Sequence, residues 1–136
     1  MNKKLEINDR IRGLMQLEVE IGAYLYSDRM YIGLLDENGE HFMDMTVNID
    51  GICPDYCGYV NINNWPEMAD FIERHKLGEF TGIMGKSGFC QYPLYLFYPK
   101  RLREVAPESM ELFERTIMGT GQEKIEIKDS RGGREK

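Results

Sequence analysis

Between Gln16 and Tyr26 the chain alternates strictly, with Leu17, Val19, Ile21, Ala23 and Leu25 on one side and Glu18, Glu20, Gly22 and Tyr24 on the other. A period of two is the pattern of a strand with one buried face, and it excludes an amphipathic helix over the same residues. Ser27-Asp28 reads as a turn into a second strand, Arg29 to Glu37. Asn38-Gly39 then gives the strongest short-range hairpin signal, because a type I′ turn needs positive φ at both central residues. Pairing Glu37 with Glu40 sets Leu34 opposite Met43, Ile32 opposite Met45 and Met30 opposite Val47, all on one face. Continuing back through Ser27-Asp28 sets Leu25 opposite Met30. The first half of the chain therefore predicts a three-stranded antiparallel meander with one apolar face.

Gly51 to Gly58 (GICPDYCG) is a loop by its Gly and Pro content. A short strand, Tyr59 to Ile62, leads into a helix with Asn64 as N-cap, Pro66 in the first turn and Glu67 at the capping-box position. Trp65, Met68, Ala69 and Ile72 form its apolar stripe, flanked by Phe71 and His75, and Gly78 is the expected stop after Leu77. Strands follow near Phe80–Met84 and Cys90–Tyr98, joined by the turn Gly85-Lys86-Ser87-Gly88. Pro93 cannot donate to a ladder, so the last strand is an edge there or carries a bulge. A second helix starts near Pro99 to Leu102, breaks or restarts around Pro107 and runs to Met118. In the tail, Ile125 and Ile127 fit one short strand, and SRGGREK is expected to be disordered. The predicted architecture is a single α+β domain over residues 1–118, with an antiparallel sheet of about five strands and two main helices packed on it, followed by a C-terminal tail over residues 119–136.

A chain of 136 residues, 42% hydrophobic and 29% charged, suits one globular domain with a core that needs no disulfide or metal. The net charge of −6 opposes direct nucleic-acid binding, which requires clustered Lys and Arg, but allows binding to a basic protein surface. The N-terminus mixes charged and apolar residues, with neither a signal-peptide core nor a membrane span, so the protein is expected to be cytoplasmic. In that compartment its three cysteines, Cys53, Cys57 and Cys90, are expected to be reduced thiols.

Three motifs lack parts that their chemistry needs. Gly85-Lys86-Ser87 resembles the end of a phosphate-binding loop, but the pattern requires glycine where Phe80 stands, and aromatic strand sequence follows instead of a helix. Cys53 and Cys57 have the spacing of half a zinc site, yet Cys90, His41 and His75 supply no second pair, so no metal and no cofactor is expected. Cys90 with a histidine could form a nucleophile and base, but nothing around it marks a reactive thiolate, and a small buried residue explains it better. No catalytic residue is assigned.

Asn61, Asn63 and Asn64 place three amides just before the helix, where they can tie loops together or recognise a ligand. Tyr92, Tyr95, Phe97 and Tyr98 alternate along a strand that should lie at an edge. One face packs in the core, and the other can form an aromatic patch that binds a protein. Asn61, Asn63, Asn64, Tyr92, Tyr95 and Tyr98 are therefore the candidate binding residues.

The segment NINNWPEMADFIERHKLGEFTGIMGKSGFCQYPLYLF, with Thr46-Val47-Asn48-Ile49 before it, resembles a family of small uncharacterised proteins carried on plasmids and conjugative elements of gut bacteria. The likeness runs over roughly residues 30 to 98 and is most specific from Ser87 to Phe97. The chain departs from that pattern at Asn61-Ile62, where the family has an Asp-Thr pair, and at His75-Lys76, where it tends to have glycine. The resemblance assigns no catalytic residue. With the small size, acidic charge and aromatic edge, it implies a non-enzymatic accessory protein of a mobile genetic element. Such a protein would act by binding a protein partner, as an inhibitor of a host defence nuclease of the anti-CRISPR or anti-restriction type. The competing expectation is a small thiol-dependent enzyme or ligand-binding domain centred on Cys90 and the segment from Asn61 to Asn64.

Overall fold

The computed structural model describes residues 1–118. It is an α+β structure with two four-stranded antiparallel sheets and three helices. The first sheet has the order β1-β2-β3-β4, formed by Leu5–Asp9, Gly13–Ala23, Met30–Leu35 and His41–Asp44. The second has the order β5-β6-β8-β7, formed by Thr46–Val47, Cys57–Val60, Cys90–Phe97 and Gly78–Ser87. The helices are α1 Met68–Arg74, α2 Pro99–Val105 and α3 Pro107–Met118. The expected tail strand through Ile125 and Ile127 lies outside the described residues.

Strand β2 buries Leu17, Val19, Ile21 and Ala23, as its alternation requires. Its register differs from the expectation: Ala23, not Leu25, faces Met30, with Ile21 opposite Ile32 and Val19 opposite Leu34. The connecting loop is longer than Ser27-Asp28, closed by the Tyr24 N–H on the Arg29 carbonyl at 2.8 Å, with Tyr26 and Asp28 at positive φ. A shift of two residues leaves every side chain on its own face, which is why patterning did not detect it.

The β3–β4 hairpin keeps Leu34 opposite Met43, but by another route. Asp36 accepts the Gly39 N–H at 2.9 Å and donates to the Glu40 carbonyl at 2.7 Å, so the loop spans three residues rather than two. A bulge between Leu34 and Leu35 absorbs the extra residue. The strand then leaves the sheet. Met45 donates to the Ile32 carbonyl, whereas Thr46 and Val47 pair with Val60 and Tyr59, so Val47 never faces Met30. That crossing at Met45 makes two sheets from what reads as one.

Strand β1 was not expected. Its charged residues disguise an alternation in which Leu5, Ile7 and Asp9 are buried. Asp9 is the unusual member: its Oδ1 accepts the Trp65 indole N–H at 2.6 Å and its Oδ2 accepts the Arg12 and Ile11 amides. The indole hydrogen bond first, then the Arg12 amide, hold this carboxyl down from 3.8 to about 2. The bond commits Trp65 to the turn after β1, and α1 starts later than the expected cap at Asn64. Glu67 is its N-cap without a side-chain bond, and the Glu67 carboxylate instead accepts the Arg10 amide at 3.2 Å.

Helix α1 also stops by a different residue. Leu77 donates to the Ile72 carbonyl and Lys76 to that of Glu73, a Schellman pair with Lys76 in the left-handed region at φ 56°. Gly78 is used for close approach, since a Cβ there would sit 2.6 Å from the Leu96 carbonyl oxygen. The helices cover the first sheet, and Trp65, Met68, Phe71, Ile72, Leu102, Val105, Met110 and Phe113 complete one core with β1 to β3. A smaller cluster of Cys57, Tyr59 and Leu94, with Val47, Ile49, Cys53 and Tyr92 against it, forms a second packing centre.

Candidate functional site

Strands β7 and β8 form a long hairpin whose far half stands clear of the core. Ser87 pairs with Cys90, so the tip is Gly88-Phe89, not the expected Gly85 to Gly88 turn. Gly88 has φ 61° at the first central position, where two-residue hairpins of type II′ require glycine. Gly85-Lys86-Ser87 is thus part of a strand, with no phosphate-cradling loop. Strand β6 pairs with β8 only from Leu96 to Leu94, which leaves the distal half of the hairpin as a two-stranded ribbon.

The distal half of the ribbon is held by the second packing centre, through Tyr59 and Ile49 at Gly85 and through Tyr92. Tyr59 crosses Gly85 so closely that a Cβ there would lie 2.5 Å from its ring, and the Tyr59 hydroxyl donates to the Ile52 carbonyl at 2.7 Å. Strand β7 is the sheet edge, and eight of its ten residues are exposed. The irregularity expected in the last strand at Pro93 lies in its partner instead: the extra residues between Phe80 and Met84 bulge from β7, opposite Tyr95 and Pro93. Thr81 closes it by donating its hydroxyl to the Leu94 carbonyl at 2.8 Å. Pro93 is not on an edge strand, because β8 lies between β6 and β7.

Along this arm Phe80, Ile83 and Met84 are 47%, 46% and 46% exposed, and Phe89 at the tip is fully exposed. Together they set large apolar side chains, half to fully exposed, along a sheet edge and its tip. The sequence expectation missed all four. Placing the turn at Gly85 to Gly88 leaves Phe89 between the turn and the strand from Cys90, whereas the pairing of Ser87 with Cys90 sets it at the tip.

The expected binding residues divide. Tyr95 is a correction: it is buried, packed between Phe80 at 5.9 Å and Phe97 at 6.3 Å between ring centroids, and so is unavailable as an exposed anchor. Tyr92 is half-buried against the second cluster. Tyr98 is half-buried and donates its hydroxyl to Glu79 at 2.7 Å. Asn61 is buried and joins the two sheets, its amide side chain on the Asp44 carbonyl at 3.1 Å and its N–H on that of Met45. Asn63 is exposed and donates to the Gln91 carbonyl at 3.3 Å, bracing the arm close to its tip. Asn64 is exposed and lines a shallow cavity of about 160 Å³ with Trp65, Pro66 and the turn after β1.

The thiols are unpaired, with Cys57 buried and Cys53 half-buried. Burial pushes both of these thiols up, away from thiolate reactivity. Cys90 is exposed beside the tip, against the expectation of a buried residue. His75 Nε2 bonds the Glu6 carbonyl and His41 Nε2 bonds Asp44, and among the described residues neither imidazole is hydrogen-bonded to Cys90. Among the described residues no three His, Cys, Asp or Glu side chains converge as a metal site. No helix among them is long and apolar enough to cross a membrane.

A cavity of about 750 Å³ lies between Tyr56, α2 and α3. Its polar wall is already committed. Arg103 forks onto both Glu114 oxygens at 2.9 and 2.7 Å, and the Tyr56 hydroxyl donates to the same carboxylate at 2.7 Å. The Arg103 fork holds the Glu114 carboxyl below its usual range. This is a clamp joining the loop before β6 to both helices.

Fold and surface thus define a two-sheet α+β domain carrying an edge hairpin with exposed apolar side chains. The chain belongs to the family described as domain of unknown function (DUF4313), whose model matches residues 18–117. No curated protein and no solved structure matches the chain.

Proposed function

We propose that the protein is a non-enzymatic binding module that docks on a protein partner through the β7–β8 arm. The observation that carries this reading is the exposure of Phe80, Ile83 and Met84 on the edge strand and of Phe89 at its tip. Apolar side chains that leave this much surface in water cost solubility, while interfaces use residues of this kind as anchors. Tyr98 remains a candidate contact at the arm's proximal end, and Asn63 supports the arm rather than touching the partner.

Within this class, an accessory protein of a mobile element that inhibits a host defence nuclease is the version supported by the net charge of −6 and by the family resemblance. The thiol-enzyme alternative has an exposed Cys90 in its favour, but among the described residues no histidine is hydrogen-bonded to that thiol. Affinity capture from the native host with mass spectrometry tests the proposal. The expected result is a partner retained by the native chain and by Cys90→Ser, and lost with Phe89→Ser although that variant melts like the native chain. Capture that survives Phe89→Ser combined with Ile83→Ser would refute it.

A further inference from the structure

Where β7 leaves α1, a groove of about 380 Å³ is lined by Glu73, Lys76, Gly78, Glu79, Phe80 and Tyr98. Tyr98 donates to the Glu79 carboxylate, which fixes that group at the groove instead of leaving it to swing in solvent. The Phe80 ring rests on Tyr95 and keeps nearly half of its surface open. Two carboxylates face one ammonium, that of Lys76, so the groove retains an excess of negative charge. An oriented carboxylate beside an open aromatic face is the environment that recognises a guanidinium or ammonium group. Phe80 belongs both to this groove and to the apolar strip of the arm, so one docked surface can cover both.

We propose that the partner bound by the arm inserts an arginine or lysine side chain into this groove, beside the apolar residues that cover Phe80, Ile83 and Met84. The inference rests on the protein-binding reading above and specifies the chemistry of the partner. Arginine fits better than lysine, because its planar fork pairs with a carboxylate in two places while its face stacks on an aromatic ring. The overall charge of −6 acts in the same direction by steering a basic surface toward the chain.

The test is an NMR titration of the full ¹⁵N-labelled chain with the capped peptide Val-Arg-Val-Arg-Val and with its citrulline counterpart. Citrulline keeps the shape of arginine and removes its charge. Saturable shifts are expected at the amides of Glu79, Phe80 and Tyr98, with the citrulline peptide weaker by about fivefold or more. Glu79→Gln keeps an acceptor for the Tyr98 hydroxyl, so the fold is retained while the arginine peptide binds about fivefold more weakly. Glu37→Gln makes the same charge change at the exposed β3–β4 turn and is expected to leave the affinity unchanged. Absence of saturable shifts at the groove, equal binding of the citrulline peptide, or an equal loss in Glu37→Gln would overturn the inference. A captured partner that is lost with Phe89→Ser but kept by Glu79→Gln would overturn it too, while leaving the protein-binding reading intact.

Discussion

Thr46, like Asn61, joins the two sheets through its side chain, and replacing it with valine isolates what its contacts contribute. Its Oγ1 accepts the Ile32 N–H from the first sheet at 3.1 Å and lies 2.9 Å from the Tyr24 hydroxyl, while its backbone pairs in the second sheet. Thr46 is 1% exposed, so no water replaces either contact. Valine has nearly the same shape, and Thr46→Val therefore opens little cavity. It leaves a buried amide and a buried phenol without partners, at about 1–3 kcal/mol each. A total near 2–6 kcal/mol is a large part of the roughly 5–15 kcal/mol that stabilises a domain. Tyr24→Phe alone removes one hydrogen bond, about 1 kcal/mol. In the Thr46→Val background it also removes an orphaned hydroxyl, so the double variant should be more stable than the sum of the single losses predicts, by about 1–2 kcal/mol. Urea unfolding followed by fluorescence of the single, buried Trp65 measures all three variants. A loss below about 1 kcal/mol for Thr46→Val, or strict additivity, would refute the stitched-sheet description.

Burial raises the Tyr24 hydroxyl from 10.0 to about 12 and moves Tyr31 the same way, so the folded state holds these protons longer than the unfolded chain. Stability is then fully present below pH 10.0 and falls as pH rises toward about 12, and Tyr24→Phe should flatten this limb in melts across that range. Asp9 behaves oppositely: its carboxyl is held down near 2, so its contribution is present above 3.8 and lost on acidification toward 2. Trp65→Phe removes the largest cause of that depression and should move the acid-unfolding midpoint upward; an unchanged midpoint would contradict the assignment. In the native chain Cys90 should react with a thiol reagent at the rate of a free thiol, with Cys53 and Cys57 reacting fully only in denaturant. Fast labelling of all three would mean that the second packing centre is open.

How legible each part was follows from what fixes it. The alternation from Leu17 to Ala23 reports burial directly, and both the strand and its inward face were read correctly. Register was not, because Leu25 and Ala23 lie on the same side and pair equally well with Met30 by pattern alone. The two prolines at the starts of α2 and α3 announced those helices through their fixed φ. The start of α1 was misread because a capping sequence competes with a tertiary bond, and the Trp65–Asp9 contact between distant residues leaves no local trace. Strand β1 and the splitting of the sheet at Met45 were hidden for the same reason. At the site, aromatic alternation from Tyr92 to Tyr98 correctly marked the hairpin but favoured Tyr95, whose ring the fold uses internally. Exposure of Phe89 depended on a turn position displaced from the expected one.

Hydrogen–deuterium exchange of the chain with and without its captured partner tests the binding surface most directly. The account predicts added protection confined to the arm, from Gly78 to Gln91, because an edge strand gains backbone partners or loses water there when it is covered. Protection concentrated around Tyr56, Arg103 and Glu114 with the arm unchanged would contradict it.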